Sequence, residues 1–473
     1  MKADPSIFRG YDIRGVYPNE INGDTVYAAG KAYATLLSRE NPGKRLSVAV
    51  GRDTRVSSPE LHTRLIEGLL ECGVDVDDLG LVSTPTLYFG VGFFGYDGGL
   101  QVSASHNPKE WNGVKMTRKN AESLSKETGI AEIATIIEKE GFMISPARGT
   151  LKKREGILAA CVEEAVRTVS PSRIKPFKVV ADAANAMGAL DLAALFSRLG
   201  CDFIPMNFEL DGTFPAHGID PSKEENIKYL QEKVKSENAD LGIAPDGDGD
   251  RIFFVDEKGS VVPSEALAAI LAEIELEAHP GGAIVSDAGP SRIVEEVAER
   301  FGGRRVRSRV GSSYMKEAII REGAVFGGEA AGHYYYSFPC GIFEAPMLLV
   351  LKLLARLSEK NISLSEAVNP FLKYAHSKEA SVRVNSKEEV SSKIETVKKI
   401  YADGKQDFLD GVSVEYPDYW FTVRGSNTEP LLRFTLEATS KEIMTREAER
   451  LRGVLTHSTG SASILSEVEG LTN

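Results

Sequence analysis

Residues 46–76 read LSVAVGRDTRVSSPELHTRLIEGLLECGVDV, and the order of features in this stretch predicts the fold of most of the chain. An apolar, β-branched run ends near Asp53, an amphipathic run follows, and Gly73 closes that run before a second apolar segment begins. Strand, helix, glycine stop and strand in this order form a β-α-β unit. The stretch therefore predicts an α/β domain built on parallel strands.

The same order of features recurs twice more, at residues 177–204 and 281–306. In both copies the strand ends near an aspartate and a glycine closes the helix, with Asp182 and Gly200 in the first and Asp287 and Gly302 in the second. Recurrence of one supersecondary unit predicts three related α/β domains in series, with mixed, largely parallel sheets.

The end of the chain follows a different order. From about residue 376 the pattern indicates strand, helix, three strands and helix, at 380–384, 387–403, 412–416, 418–426, 431–438 and 441–455. Strands in direct succession favour an antiparallel sheet with helices on one face. This region therefore predicts a fourth, smaller α+β domain.

A chain of 473 residues is longer than one hydrophobic core usually supports. Together with the repeats, this length predicts four domains, at residues 1–150, 151–257, 258–372 and 373–473. A hydrophobic fraction of 42% and a charged fraction of 26% are typical of globular proteins.

Charge and composition argue against several classes of partner. The net charge of −12 disfavours nucleic acid, because phosphate backbones recruit basic surfaces. The N-terminus has no apolar segment and the longest apolar stretches contain basic residues, so we expect neither a signal peptide nor a membrane partner. The cysteines are far apart in the sequence, which favours the cytoplasm over a disulfide framework or a zinc cluster: Cys72, Cys161, Cys201 and Cys340.

The strongest chemical signal is PDGDGDRIFFVD at residues 245–256. Asp246, Asp248 and Asp250 alternate with glycines between two predicted strands, and such close carboxylates would repel unless a divalent cation joined them. A solvated acidic turn is the alternative. A calcium EF-hand is rejected, although Glu257 falls at its twelfth position, because Arg251 replaces the obligatory glycine. The pattern favours Mg²⁺ bound partly to a phosphate.

Ser105 follows an apolar run in QVSASHNPKEWNGVK (101–115), so we expect it at the carboxyl edge of a strand, where open α/β sheets bind ligands. It could be a nucleophile that accepts a phosphoryl group beside the metal, or a hydroxyl that closes a turn. Lys115 could be a solvated strand lysine, or it could contact a phosphate or move a proton.

FTVRGSNTEPLLRF (421–434) concentrates anion-binding groups on one turn, namely Arg424, Ser426, Asn427 and Thr428. A bidentate cation beside short hydroxyl and amide groups, with backbone N–H groups freed at Gly425, favours a phosphate clamp. A plain turn is the alternative.

FGGEAAGHYYY (326–336) carries one carboxylate, Glu329, after two glycines. A carboxylate can accept two hydroxyl donors, which is how proteins hold a sugar diol. A buried helix-capping glutamate is an equally good interpretation of this residue.

Together, these four loops resemble those of the α-D-phosphohexomutase family, the phosphomannomutases and phosphoglucomutases. The resemblance runs from FRGYDIRG (8–15) to RGSNTEP (424–430), with SASHNP and DGDGDR as the most specific motifs and DGTFPAHGIDP (211–221) as a further family segment. It implies three α/β domains and a C-terminal α+β domain, similar to the TATA-binding protein, around a central cleft.

The resemblance also implies a role for each site residue. Ser105 would be phosphorylated in the active enzyme and would join the three aspartates around Mg²⁺. Four positions would surround the transferring group, namely His106, Asn107, Lys115 and Arg251. Tyr11 and Arg14, the latter a catalytic candidate, lie on an N-terminal stretch that would approach the substrate. Glu329 would bind the sugar hydroxyls, and the non-reacting phosphate would be held by Arg424, Ser426, Asn427 and Thr428.

Two positions depart from the family pattern. Ala331 stands where the sugar loop typically has a serine, and Ser312 stands where many members have a histidine. Hydroxyl contacts distinguish one hexose from another, so both changes concern the choice of sugar rather than the phosphoryl chemistry.

These observations predict a phosphohexomutase that interconverts hexose 1-phosphate and hexose 6-phosphate through phospho-Ser105 and a hexose 1,6-bisphosphate. Glucose or mannose 1,6-bisphosphate is the expected activator, and the expected assembly is a monomer or a homodimer. Lys115 is the first candidate for general acid-base work and His106 the second. The alternative functions are a metal-dependent phosphomonoesterase and a non-catalytic sugar-phosphate-binding protein.

Overall fold

The computed structural model describes residues 4–289, 292–426 and 431–456. The chain forms two compact units. The first unit comprises Met1–Ser264, Val325–Gly327 and Ala331–Ala367, and the second comprises Glu265–Ala324, Gly328–Ala330 and Val368–Asn473. Residues 258–372 therefore contribute to both units.

The first unit begins with a helix-covered mixed sheet. Its elements are β1 (Asp12–Val16), α1 (Gly23–Glu40), β2 (Ser47–Arg52), α2 (Ser58–Glu71), β3 (Asp75–Leu81), α3 (Thr84–Phe93), β4 (Gly98–Val102), β5 (Trp111–Arg118), α4 (Ala131–Glu138) and β6 (Leu151–Lys153). The strands lie in the order β1-β5-β4-β2-β3-β6, with β2 parallel to β3 and β4, and β5 antiparallel to β4 and β1.

The stretch quoted first forms the predicted β-α-β unit. Strand β2 and helix α2 bury their apolar residues against each other, and Val50 and Leu65 have no exposed surface. Helix α2 is followed by Gly73 in the left-handed conformation, with φ +78°, which an L side chain rarely adopts. The predicted glycine stop is confirmed here.

A second sheet of the first unit is built from the second copy of the repeat. Its elements are α5 (Ile157–Thr168), β7 (Lys178–Asp182), α6 (Gly188–Phe196), β8 (Asp202–Met206), α7 (Glu224–Glu237), β9 (Leu241–Pro245) and β10 (Ile252–Asp256). Strand β7 is parallel to β8 and β9, while β9 and β10 form an antiparallel pair. Helix α6 ends at Phe196, before Gly200, and Gly200 does not have a left-handed φ. The predicted glycine stop is therefore wrong for this copy.

The third copy of the repeat lies in the second unit. Its elements are α8 (Ser264–Ala278), β11 (Ala283–Asp287), α9 (Arg292–Arg300), β12 (Arg304–Ser308) and α10 (Ser312–Glu322). Strands β11 and β12 are parallel, and Gly302 between α9 and β12 is left-handed, with φ +68°. The chain continues through β13 (Phe326–Gly328), β14 (Tyr334–Phe338), β15 (Gly341–Glu344), α11 (Pro346–Lys360) and α12 (Leu364–Val368).

The end of the second unit has the predicted α+β order. Its elements are β16 (Ala375–His376), β17 (Ala380–Arg383), α13 (Lys387–Ile400), β18 (Lys405–Asp407), β19 (Val412–Glu415), β20 (Tyr419–Gly425), β21 (Leu431–Ala438) and α14 (Lys441–Thr456). The paired strands are antiparallel throughout. Strands β16 and β18 were not predicted, because two or three residues are too few to show an alternating pattern.

The predicted fold class is confirmed: α/β domains with mixed, largely parallel sheets precede a C-terminal α+β domain. Among the described residues, none of the helices combines the length and apolar character needed to cross a bilayer.

Candidate active site

Ser105 lies in the loop between β4 and β5, three residues beyond the carboxyl end of β4. Its backbone has φ +50°, a left-handed conformation that costs a non-glycine residue about 1–3 kcal/mol. Its side chain is buried, and Oγ donates a hydrogen bond to Oδ2 of Asp246 at 2.7 Å. The turn itself is closed by Ser103, whose Oγ accepts the N–H of Ser105 at 3.0 Å. The Ser105 hydroxyl is thus aimed at the aspartate loop.

The aspartate loop connects β9 to β10, as the flanking apolar runs predicted. Oδ1 of Asp246 accepts the backbone N–H groups of Gly249 and Arg251, both at 3.1 Å, which folds the loop around this carboxylate. Gly247 packs against the Ser105 loop so closely that a Cβ atom there would lie 2.4 Å from the carbonyl oxygen of Ser105. Only glycine allows the two loops to approach this far.

Asp246, Asp248 and Asp250 are buried together, and one carboxylate oxygen from each lies within 4.8 Å of the others. Burial and the charges of Asp250 and Asp248 raise the pKa of Asp246 above its ordinary value. Oδ1 of Asp248 is buried and has no hydrogen-bond partner among the residues that the structure describes. Hard oxygen ligands with an unsatisfied buried atom fit a divalent cation, so these three residues can hold a metal ion.

Lys115, on β5, donates from Nζ to Oδ2 of Asp248 and to Oδ2 of Asp250, both at 2.5 Å. Burial alone would lower its pKa, but the carboxylates of Asp248 and Asp250 hold that pKa well above the ordinary value. The ammonium therefore stays protonated across the physiological range. Lys115 is a buried counter-charge of the aspartate loop in this structure, not a solvated strand lysine.

Strand β1 brings the N-terminal residues to the same place, because it pairs with β5 and sets Asp12 opposite Lys115. Arg14 on this strand bonds to Asp12, and its Nη1 donates to Oδ1 of Asn107 at 2.6 Å. Burial would lower the pKa of Arg14, but Asp12 and Tyr11 raise it above the ordinary value. Arg14 thus contacts the Ser105 loop at Asn107, and Tyr11 is close enough to act on Arg14 electrostatically.

His106 lies beside the Ser105 hydroxyl, with Nδ1 3.1 Å from Oγ. Burial, followed by the positive charges of Arg251 and Arg14, lowers the pKa of His106 well below its ordinary value. The imidazole is therefore neutral at pH 7 and can accept a proton.

His333 and Thr84 also contact the aspartate loop, although the sequence did not single them out. Nε2 of His333 lies 3.3 Å from Nε of Arg251 and 3.3 Å from Oδ1 of Asp250. Thr84, at the start of α3, donates from Oγ1 to Oδ2 of Asp248 at 2.5 Å. His333 closes the motif GEAAGH and could have been noticed there, whereas nothing in the sequence near Thr84 points to a residue so far along the chain.

In the second unit, Glu329 follows β13 and is buried. Its Oε1 accepts the backbone N–H of Gly311 at 2.9 Å, and Gly311 is the N-cap residue that precedes helix α10. The neighbouring N–H of Ala330 donates to Oδ2 of Asp287 at 3.0 Å. Burial and the charge of Glu329 raise the pKa of Asp287 to about 6. Glu329 thus does serve as a helix cap, which leaves its predicted role toward a sugar as a prediction.

Arg424, also in the second unit, is the last residue but one of β20. Its Nη2 donates to Oε2 of Glu379 at 2.9 Å, and Arg433 on the adjacent strand donates to the other oxygen of the same carboxylate at 2.7 Å. Ser426 continues the hairpin, with its N–H bonded to the carbonyl of Leu431 at 2.8 Å. Asn427 and Thr428 lie outside the described residues.

Comparison with known proteins agrees with the sequence motifs. Family models of the phosphoglucomutase/phosphomannomutase α/β/α domains I, II and III match residues 5–143, 159–259 and 263–374, and the model of the C-terminal domain matches residues 379–454. Together they account for most of the chain.

Full-length relatives and solved structures agree with the family models. The chain is 36% identical to the phosphomannomutase of Methanocaldococcus jannaschii, covering 96% of this chain and 98% of the relative. It is 35% identical to the phosphomannomutase/phosphoglucomutase of Pseudomonas aeruginosa, covering 95% and 94%. The crystal structure of a phosphoglucomutase/phosphomannomutase family protein from Burkholderia thailandensis superposes with a TM-score of 0.86, 29% identity and coverage of 96% and 98%. The chain belongs to the α-D-phosphohexomutase family of phosphoglucomutases and phosphomannomutases, and it is a mutase.

Proposed function

We propose that this mutase interconverts hexose 1-phosphates and hexose 6-phosphates, with Ser105 as the phosphoryl carrier and a hexose 1,6-bisphosphate as the intermediate. The names of the relatives, phosphomannomutase and phosphoglucomutase, support mannose and glucose phosphates as substrates. The observation that carries the proposal is the 2.7 Å hydrogen bond from Ser105 Oγ to Asp246, made from a strained left-handed backbone. Such strain persists where a functional group must be held in one orientation.

In the forward step, the bond between phosphorus and Ser105 Oγ breaks as phosphorus bonds to the free hydroxyl oxygen of the bound hexose monophosphate, and the proton of that hydroxyl is transferred to Ser105 Oγ. The bisphosphate then turns over, and its other phosphoryl group returns to Ser105. When Ser105 Oγ attacks phosphorus in this return step, its proton must leave. The hydroxyl then turns from Asp246 to His106, whose neutral ring, protonated at Nε2, can accept the proton at Nδ1, 3.1 Å from Oγ.

Lys115 is the other candidate for acid-base work that the sequence predicted. Its ammonium pairs with Asp248 and Asp250, two of the carboxylates that would hold the metal. As a cation it can also neutralise charge at the transferring phosphoryl group, together with Arg251, which ends the aspartate loop. Arg251 also keeps its charge, since Asp246 and Asp250 outweigh the effect of burial on its pKa.

The metal in this proposal is Mg²⁺, which Asp246, Asp248, Asp250 and phosphorylated Ser105 would hold. When bound, it supplies positive charge that offsets the charge on the transferring phosphoryl group. Glucose or mannose 1,6-bisphosphate would act as the activator by phosphorylating Ser105 in enzyme that has lost its phosphate.

One assay tests this proposal. The purified enzyme is incubated with mannose 1-phosphate, Mg²⁺ and a trace of glucose 1,6-bisphosphate, and the products are resolved by ³¹P NMR. We expect mannose 6-phosphate. Release of inorganic phosphate, the result for a phosphomonoesterase, or unchanged substrate, the result for a sugar-phosphate-binding protein, would contradict the proposed reaction.

The clamp for the non-reacting phosphate comprises Arg424, Ser426, Asn427 and Thr428 in this proposal. Loss of charged hydrogen bonds worth about 1.5–3 kcal/mol should raise KM for mannose 1-phosphate on the order of 10–100-fold in Arg424→Ala. Mn²⁺ affinity, measured by isothermal titration calorimetry, should not change. Lys405→Ala removes an exposed cation from the same domain and is the matched control. If Arg424→Ala has the KM of the control, residues 424–428 form only a turn.

In this proposal Glu329 binds the sugar hydroxyls. Ala331 has no hydroxyl to contact them, so the enzyme should discriminate only weakly between mannose and glucose phosphates. Ala331→Ser restores a hydroxyl, so the ratio of kcat/KM between mannose and glucose phosphates should change by about tenfold, as one added hydrogen bond permits. Ala330→Ser places the same hydroxyl one residue earlier and is the control, for which we expect the wild-type ratio. An unchanged ratio in Ala331→Ser would contradict this account of the loop.

A further inference from the structure

Arg55 is a fully buried arginine beneath the Ser105 loop. An arginine side chain has five N–H donors, and here each of its three nitrogens is engaged. Nε bonds to Oδ2 of Asp53 at 3.0 Å. The other two nitrogens donate to backbone carbonyls, Nη1 to Pro108 at 2.7 Å and Trp111 at 3.0 Å, and Nη2 to Ser105 and Asn107, both at 2.7 Å.

Three of these carbonyls belong to the Ser105 loop and the fourth to Trp111, the first residue of β5, and the planar guanidinium fixes their relative positions. The carbonyl of Ser105 is the most constrained of them, because Gly247 of the aspartate loop lies against its other side. Arg55 therefore acts on the residue whose left-handed backbone aims Oγ at Asp246. If Arg55 no longer donated to this carbonyl, the carbonyl would be free to move and Ser105 could relax to a more common backbone conformation.

Arg55 is itself braced by the segment DGTFPAHGIDP (211–221), which the proposed chemistry does not use. Gly212 forms an isolated parallel β-bridge with Arg55, so close that a Cβ atom there would lie 2.2 Å from the carbonyl of Thr54. The ring of Phe214 lies 5.4 Å from the guanidinium carbon. Ile219, from the same segment, packs on Gly247. One segment thus contacts both the arginine and the aspartate loop.

We propose that Arg55 is a positioning residue for phosphoryl transfer. It holds the carbonyls of the Ser105 loop so that Ser105 keeps the left-handed conformation in which Oγ faces the aspartates. Arg55 touches neither the sugar nor the transferring group in this account, so it governs the transfer step and leaves binding of hexose phosphate and metal unaffected. The proposal rests on the proposed function, since it concerns transfer to and from Ser105.

The test uses Arg55→Lys, which keeps the charge but not the planar set of donors, and Leu65→Ala, which weakens the same domain core away from the loop. For each protein we would measure the single-turnover rate of phosphate transfer from ³²P-labelled glucose 1,6-bisphosphate to Ser105. KM for mannose 1-phosphate, the Kd for Mn²⁺ and Tm are measured alongside. The second variant is Asp53→Asn, which removes the negative charge paired with Arg55 but keeps the shape of the side chain, so its effect should be smaller.

We expect Arg55→Lys to slow transfer on the order of 100-fold, as a misplacement of about 1 Å can, with KM and the Mn²⁺ Kd unchanged. Asp53→Asn should slow the same step by about tenfold, the effect of one weakened charged hydrogen bond. A crystal structure of Arg55→Lys should show Ser105 with a negative φ.

Three results would overturn the proposal. If wild-type Ser105 is phosphorylated and Arg55→Lys is phosphorylated as fast, Arg55 does not position the loop, and the proposed function still stands. If Arg55→Lys and Leu65→Ala lose rate in proportion to their loss of Tm, the effect is general destabilisation. If wild-type protein takes up no phosphate on Ser105, the proposed function fails and this inference fails with it.

Discussion

Ser105→Ala will lose on the order of 10⁴–10⁶-fold in kcat for hexose phosphate interconversion, the range seen when an enzyme loses its nucleophile. The fold should survive, because the lost hydrogen bond from Oγ to Asp246 is worth about 1 kcal/mol. Removing the hydroxyl should also leave the backbone conformation of residue 105 unchanged, because Arg55 holds that backbone through the carbonyl oxygen. Steady-state assays with mannose 1-phosphate and glucose 1-phosphate, with Tm measured in parallel, would check this.

Ser103→Ala is the matched control in the same loop. Ser103 closes the turn by accepting the N–H of Ser105. We expect this variant to lose about 1 kcal/mol of stability and to keep most of its turnover. Near-normal kcat in Ser105→Ala, or an equal loss in the two variants, would show that the hydroxyl of Ser105 only supports the loop.

Asp248→Asn is expected to weaken Mn²⁺ binding on the order of 100-fold, because the site loses one of its three charged ligands. Asp248 is also the carboxylate that Lys115 and Thr84 contact, so its neutralisation leaves Lys115 paired with Asp250. Because the metal site of this variant is less occupied at a given Mg²⁺ concentration, its kcat should fall. It should recover in part at high Mg²⁺ concentration. Calorimetry with Mn²⁺ on the isolated enzyme separates the loss of binding from any loss of activity.

Glu257→Gln is the control for the metal site. Glu257 stands where an EF-hand would have its twelfth ligand, but its carboxylate accepts the N–H and the hydroxyl of Ser365. Mn²⁺ affinity should therefore equal that of the wild type. A large loss of affinity in this variant, or none in Asp248→Asn, would mean that the metal is held by a different set of ligands.

The parts of the fold that follow from local patterns were predictable from the sequence. The strand before Asp53, the helix after it and the stop at Gly73 are each set by residues within one turn or one strand, so the pattern predicts them directly. The stop at Gly200 was wrong, because helix α6 had already ended at Phe196 and the glycine was not needed to end it. A glycine can therefore follow a helix without being the residue that ends it.

The candidate site was predictable as a set of loops but not as a set of contacts. The aspartates and Ser105 stand in unusual motifs, and the structure places Ser105 within hydrogen-bonding distance of Asp246 and one oxygen of each aspartate within 4.8 Å of the others. That Lys115 would pair with Asp248 and Asp250, or that Arg55 would bond to four carbonyls, depends on strands and loops far apart in sequence. Burial also sets the protonation state of a side chain, as it does for the neutral ring of His106. Whether one side chain is buried cannot be deduced from its neighbours in the sequence.

The most direct test of the account is to locate the phosphate. The enzyme is first dephosphorylated by incubation with excess substrate, then incubated with glucose 1,6-bisphosphate and Mg²⁺, and analysed by intact mass and peptide mapping. The account predicts one added phosphate per chain, carried by Ser105 and transferred to mannose 1-phosphate when that substrate is supplied. A phosphate on any other residue, or none on a protein that still converts mannose 1-phosphate to mannose 6-phosphate, would contradict it.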